Sequence, residues 1–184
     1  MKLDAKSTAV VLIDLQKGVL AMQVAPHSAA VVHDRSMRLA QRFRAAGAPV
    51  VRVRVSFSDD LADAWRPPVD QPTNYSAFQP GWDELVEPLQ SSDLVVTKRH
   101  WGAFYGTELD LQLRRRGVRR IVLGGIATNI GVESTARCAA EHGYELVVPE
   151  DLCSGASAEM HAFSFKYILP RLARITTSEA ITLV

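Results

Sequence analysis

The sequence predicts a single α/β domain built on a parallel sheet covered on both faces. Three observations point there. Short apolar runs recur along the chain and are apolar throughout rather than alternating, as strands buried on both sides must be. Helical patterns fall between those runs, the alternation that right-handed crossovers produce. The length, 184 residues, gives one domain a sizeable core and leaves too little chain for two.

The elements follow in order. Ala9-Val10-Val11-Leu12-Ile13 is the first run. Val31 to Ala46 reads as a helix, with Val31, Met37, Phe43 and Ala46 near one stripe and Gly47 as its stop. Val50 to Val55 is the second strand, carrying two arginines. Ser56 to Pro80 then holds Pro67, Pro68, Pro72 and Pro80 with few periodic apolar positions. A loop that long in a compact domain is usually functional, a lid or part of an interface. Leu94-Val95-Val96 is the third strand, and Thr107 to Arg116 a helix with Leu109 and Leu113 spaced by four. Ile121-Val122-Leu123 is the fourth strand. Asn129 to His142 places Val132, Ala136 and Ala139 on one helical face before Gly143. Leu146-Val147-Val148 is the fifth strand, and Leu172 to Ile175 the candidate for a sixth.

Composition narrows the partners. With 47% hydrophobic and 22% charged residues the chain is ordinary globular material, and a formal net charge of +1 argues against nucleic acid or a membrane surface. The cluster Arg114-Arg115-Arg116 with Arg119 and Arg120 falls where a helix ends, and cations there complement its dipole. No apolar run approaches the ~20 residues of a membrane span, and Ala9 to Ile13 is too short for a signal-peptide core. Cys138 and Cys153 make no disulfide framework and suit a reducing compartment, so the expected location is the cytoplasm.

In an open parallel sheet, ligands bind beyond the carboxyl ends of the strands. The residues at those ends are Asp14, then Ser56 and Phe57, then Thr97, Lys98 and Arg99, then Gly124 to Asn129, then Glu150 and Asp151. Taken singly, each has a plain reading. Asp14 caps a short helix from Leu15, Lys98 is a solvated loop lysine, and Thr128 or Asn129 is the N-cap of the next helix. A carboxylate and an ammonium on one rim favour a joint functional role over either alone. The histidines at 27, 33, 100, 142 and 161 show no His-x-His or His-x₃-His spacing, so no zinc site is expected. No phosphate loop or dinucleotide fingerprint occurs, so no cofactor is expected.

The segments VVLIDLQKG, KRHWGAFYGTELDLQLRRRGV and GGIATNIGVESTARCAAEHGYELVVPEDLCSG resemble the isochorismatase-like hydrolases. The likeness covers nearly the whole chain and is weakest between Ser56 and Pro80. It implies a three-layer Rossmann-like fold with a six-stranded parallel sheet flanked by helices, assembled as a homodimer or larger homo-oligomer. It implies a site of Asp14, Lys98 and a cysteine whose position here is Gly131. It also places a cis peptide between Ile126 and Ala127, aiming backbone N–H groups at the substrate in an oxyanion-hole role. Cys138 shares Gly131's helical face but lies roughly 10.5 Å further along the axis. Cys153 matches a frequent family cysteine without a catalytic role. The related nicotinamidases bind metal through an Asp-x-His motif in the long loop. This chain has none, and Asp59, Asp60 and Asp63 read as a solvated acidic loop.

Glycine at the nucleophile position also has a family meaning. The true isochorismatases, and similar enzymes that cleave the enol-pyruvyl ether of chorismate-like acids, lack the cysteine. A vinyl ether protonated at carbon gives an oxocarbenium ion, which water captures with release of pyruvate. The resemblance then implies Asp14 as general acid and Lys98 as the group that orients it and holds a substrate carboxylate. Gly131 would leave room and expose N–H groups at a helix N-terminus, an anion seat. Lys98 favours ionised Asp14, whereas an acid catalyst starts protonated, so desolvation by Trp101, Phe104 and Tyr105 is expected to oppose it. The expected substrate-binding residues are Trp101, Phe104, Ile126, Ala127 and Gly131, and the expected ligand is a small acid. Two other readings stay open: an amide or ester hydrolase using activated water, and a non-catalytic oligomeric family member that only binds a small acid.

Overall fold

The computed structural model describes residues 1–86 and 89–184. Nine strands form: β1 (Lys2–Leu3), β2 (Thr8–Ile13), β3 (Val50–Val55), β4 (Leu94–Lys98), β5 (Arg120–Ile126), β6 (Glu145–Pro149), β7 (Cys153–Ser154), β8 (Arg174–Thr176) and β9 (Thr182–Leu183) among the described residues. The main sheet runs β4-β3-β2-β5-β6-β8, every pair parallel. That path has the six strands expected. A seventh, β7, also joins the sheet. β6 follows β5 only over Arg120 to Val122, and after a short helical turn the chain returns so that Cys153 and Ser154 pair with Gly125 and Ile126. β1 and β9 form a separate parallel pair that ties the two ends of the chain together.

The continuous apolarity of the strands has the cause inferred for it. In β2, Ala9, Val11 and Ile13 enter one core, Val10 and Leu12 the other, and all five are fully buried. Helix α1 (Lys17–Leu20) is one turn. Helix α2 (Ala29–Ala45) covers the Val10 face, while α3 (Leu109–Arg115) and α4 (Glu133–Glu141) cover the Ile13 face with Leu109, Leu113, Ala136 and Ala139. Three layers result, with a core on each side of the sheet.

The stripe of α2 differs from the expected one. Val31 and Ala46 are exposed, and the buried positions are Val32, Ser36, Leu39, Ala40 and Phe43. Steps of four, three, one and three residues follow a 3.6-residue helix, whereas steps of six drift off its face. The helix starts where the Ser28 side chain accepts from the Val31 N–H. The basic cluster ends α3 as expected, with Arg114 and Arg115 in its last turn. The sixth strand begins at Arg174, because Leu169–Arg171 is a short helical turn. Among the described residues, no helix is long and apolar enough to cross a membrane.

Candidate active site

Asp14 follows the last residue of β2 and leaves the strand at φ 54°, a left-handed conformation that aspartate tolerates better than bulkier residues. Its N–H still donates to the Val53 carbonyl at 2.9 Å, which pins the backbone to β3. No helix starts at Leu15; α1 begins at Lys17. Lys98 is the last residue of β4. The strand between them, β3, ends at Val55, so the two side chains meet over its carboxyl end. Lys98 Nζ lies 2.8 Å from Asp14 Oδ2, with side chains only 3% and 9% exposed. Lys98 Nζ also donates to the His100 carbonyl at 3.1 Å. Asp14 Oδ1 has no hydrogen-bond partner among the described residues.

Two forces compete at Asp14. Burial penalises the carboxylate and raises its pKa, while the Lys98 charge and hydrogen bond pull it down; burial wins, and the carboxyl is held above its ordinary value. The expected agents of that desolvation are only partly right. Trp101 borders the site and is half exposed. Tyr105 points outward at 75% exposure. Phe104 is core: its ring stacks on His142 at 5.1 Å and packs against Tyr144 at 5.8 Å, and it does not line the cavity at Asp14.

The third component is the end of β5. A side chain at Gly125 would collide with the Ile13 carbonyl at 2.2 Å, so only glycine permits this approach beside Asp14. The Ile126–Ala127 peptide is cis, at the position implied. The chain then makes one wide helical turn, Thr128–Val132, before α4, with no side-chain cap from Thr128 or Asn129. Gly131 lies beside the acid, for a Cβ built there would sit 3.3 Å from Asp14 Oδ2. It is not an open notch, however. The same Cβ would lie 2.9 Å from Ile13 Cγ2 and 3.5 Å from the Trp101 carbonyl. The room left by the missing side chain is already taken by the Ile13 methyl group. Ile126 is buried in the core and Ala127 is half-buried; the turn's contribution to the cavity wall is Ile130.

The open space lies elsewhere, under the proline-rich loop. A cavity of about 170 Å³ reaches Asp14 and Lys98 and is walled by Phe57, Trp65, Tyr75, Phe78, Trp82 and Trp101. The rings brace one another: Phe57 on Trp82 at 5.9 Å, Phe78 on Trp82 at 4.3 Å, Trp65 on Trp101 at 5.6 Å. Arg99 is also on the wall and pairs with Asp63. Asp63 is thus not simply solvated. The Ser58 N–H and Arg99 hold its carboxyl down at about 2. A larger apolar cavity of about 410 Å³ abuts the first across Val55, Phe78 and Trp82, but neither Asp14 nor Lys98 lines it. The loop's aromatic walls have a sequence signal that periodicity does not register. Two of the chain's three tryptophans fall in or just after this proline-rich stretch, where no helical or strand period gives them a face to bury.

Neither thiol belongs to the site. Cys153 is fully buried, donates to the Pro149 carbonyl at 3.6 Å, and burial pushes its pKa far up. Cys138 sits part-buried on α4 against the core, its pKa also raised by burial.

The family model of the isochorismatase domain matches residues 8–180. The chain belongs to the isochorismatase family of hydrolases. The isochorismatase family protein YecD of Escherichia coli O157:H7 is 51% identical over 98% of this chain and 97% of its own length. An isochorismatase family protein from Burkholderia thailandensis superposes with a TM-score of 0.93 at 42% identity, covering 98% of this chain and 95% of that one. A cysteine hydrolase from Pseudomonas syringae pv. phaseolicola 1448A follows at 0.82 and 26%, covering 96% and 91%. Ureidoacrylate amidohydrolase RutB of Acinetobacter baylyi is 46% identical over 46% of this chain and 36% of its own.

Proposed function

We propose that this isochorismatase-family hydrolase cleaves the vinyl ether of a small carboxylic acid, with Asp14 as the proton donor. The observation that carries the reading is a buried carboxyl, its pKa raised by that burial, at the base of an aromatic-walled cavity. Asp14 gives its proton to the terminal vinyl carbon and the ether-bearing carbon becomes an oxocarbenium ion. Water adds there, and the hemiketal collapses to a keto acid and an alcohol. No nucleophilic side chain is needed, which suits a site with glycine beside the acid and both thiols outside it. Lys98 orients Asp14 through its 2.8 Å contact and balances the carboxylate left after proton transfer. The aromatic walls fit a flat, unsaturated ring. The space for it comes from the loop, not from Gly131.

The test is keto-acid release. Wild-type protein is expected to release pyruvate from isochorismate, and Asp14→Asn is expected to release it about 10²–10⁴ times more slowly. Equal release by both ends the proposal. A second reading draws on the ion pair itself: Lys98 at 2.8 Å is also the partner that would keep Asp14 ionised as a base for water attack on an amide or ester. Turnover of a carboxamide panel, lost in Lys98→Ala, with no action on enol ethers, would establish that reading instead.

A further inference from the structure

A second polar chain lies behind the turn that abuts the site, and the chemistry above does not use it. Helix α5 (Ala158–Phe163) carries His161, which is 3% exposed. Its Nε2 lies 2.8 Å from Glu150 Oε1, and its Nδ1 lies 2.9 Å from Thr128 Oγ1. Glu150 follows the last residue of β6. Thr128 is fully buried and opens the turn that brings Ile130 to the cavity wall and Gly131 beside Asp14.

The hydrogen positions follow from chemistry. An ionised carboxylate only accepts, so Nε2 carries the proton and donates to Glu150. In a neutral ring Nδ1 then accepts from the Thr128 hydroxyl. Burial favours that neutral ring by lowering the His161 pKa, with Glu150 opposing and His27 assisting. His27 shares the carboxylate, its Nε2 lying 3.3 Å from the same oxygen, and Arg35 Nη1 lies 3.5 Å from His27 Nδ1. The turn is held from its other side as well. The Thr135 hydroxyl donates to the Gly131 carbonyl at 2.6 Å and accepts from the Ala103 N–H at 3.1 Å. Ser164, just past α5, donates to Glu133 at 2.6 Å.

We infer that His161 is a positioning residue, which acts through the Thr128 hydroxyl to hold the turn Thr128–Val132 against Asp14 and keep water from that carboxyl. Glu150 serves only to orient the ring. The inference rests on the buried acid proposed above, but it is testable without turnover.

The experiment is a titration of Asp14 by ¹³C-carboxyl NMR, its signal assigned with Asp14→Asn, in wild type, His161→Phe, His161→Asn and Thr128→Val. In His161→Phe and Thr128→Val the midpoint is expected to fall toward the ordinary carboxylate value by about one pH unit, a tenfold change in proton affinity. In His161→Asn it is expected to stay near wild type, because the amide oxygen takes the place of Nδ1 and accepts from Thr128. An unchanged midpoint in all variants overturns the inference. So does a fall in His161→Asn as large as in His161→Phe, which would mean that ring volume or the Glu150 contact is what matters. Should His161→Phe not fold, Thr128→Val against Thr128→Ser makes the same comparison. A lower midpoint in the valine variant alone supports the inference, and equal midpoints overturn it. No substrate enters the titration, so failure of enol-ether hydrolysis would be a separate result.

Discussion

The floor of the cavity and its cover are built in opposite ways. The floor is two ionisable side chains at the ends of parallel strands, each almost fully buried and fixed by the β2-β3-β4 register. The cover is a run of aromatic rings on an irregular, proline-rich segment, held by ring contacts and a few polar ties such as Arg99 to Asp63. A strand end offers rigid placement, which proton transfer needs. A loop offers shape that can change without disturbing the sheet. Under the proposed function, that division puts the chemistry on the floor and the choice of acid in the cover.

The sharpest way to break that division is Asp14→Asn. Loss of a positioned general acid is expected to lower kcat by about 10²–10⁴, with little change in KM, measured as keto-acid release. If KM moved instead, the floor would be a binding element only.

The pH profile comes next. The Asp14 pKa is raised, so the proton is present below the raised value and is lost as pH climbs through it. An acid role therefore predicts that kcat/KM is flat on the acid side and falls about tenfold per pH unit above the raised pKa. A base role predicts the reverse, with activity lost on the acid side of the same pKa.

Gly131→Cys tests whether the family's nucleophile position is usable space. The new Cβ would lie 2.9 Å from Ile13 Cγ2, so overpacking is expected to cost about 1–3 kcal/mol in chemical denaturation, with no gain of amidase activity. Combined with Ile13→Ala, the two losses should be less than additive, because the second change removes the clash.

The smallest effect is expected in the cover. Trp82→Ala should raise KM about tenfold, about 1.4 kcal/mol, while leaving kcat within a few-fold. A loss of kcat as large as in Asp14→Asn would show that the cover excludes water as well as shaping the cavity.

Much of the frame was legible because strands and strand ends announce themselves locally. Five apolar runs became strands near their expected bounds, and Asp14 and Lys98 could be paired because both leave the carboxyl edge of one parallel sheet. β7 was not legible, since two residues that rejoin β5 after a helical turn carry no pattern of their own. Phe104 and Trp101 sit three positions apart in one motif, yet one packs on His142 in the core and the other borders the cavity. Residue type does not separate them; their packing partners do. His161 was visible only as one of several unpatterned histidines. Its partners Thr128 and Glu150 lie 33 and 11 residues before it, in separate elements, and meet it only in the fold.

By itself the sequence determined the layered parallel sheet and the acid and the amine at its edge, because burial on both faces demands continuous apolar runs and topology puts their ends on one side. Only the tertiary structure decided where the empty space is. Gly131 suggested a hollow, but a neighbouring methyl group fills it, and the cavity lies beneath aromatic rings whose loop has no period to read. Volume is a property of what packs against a position, and no residue states its neighbours.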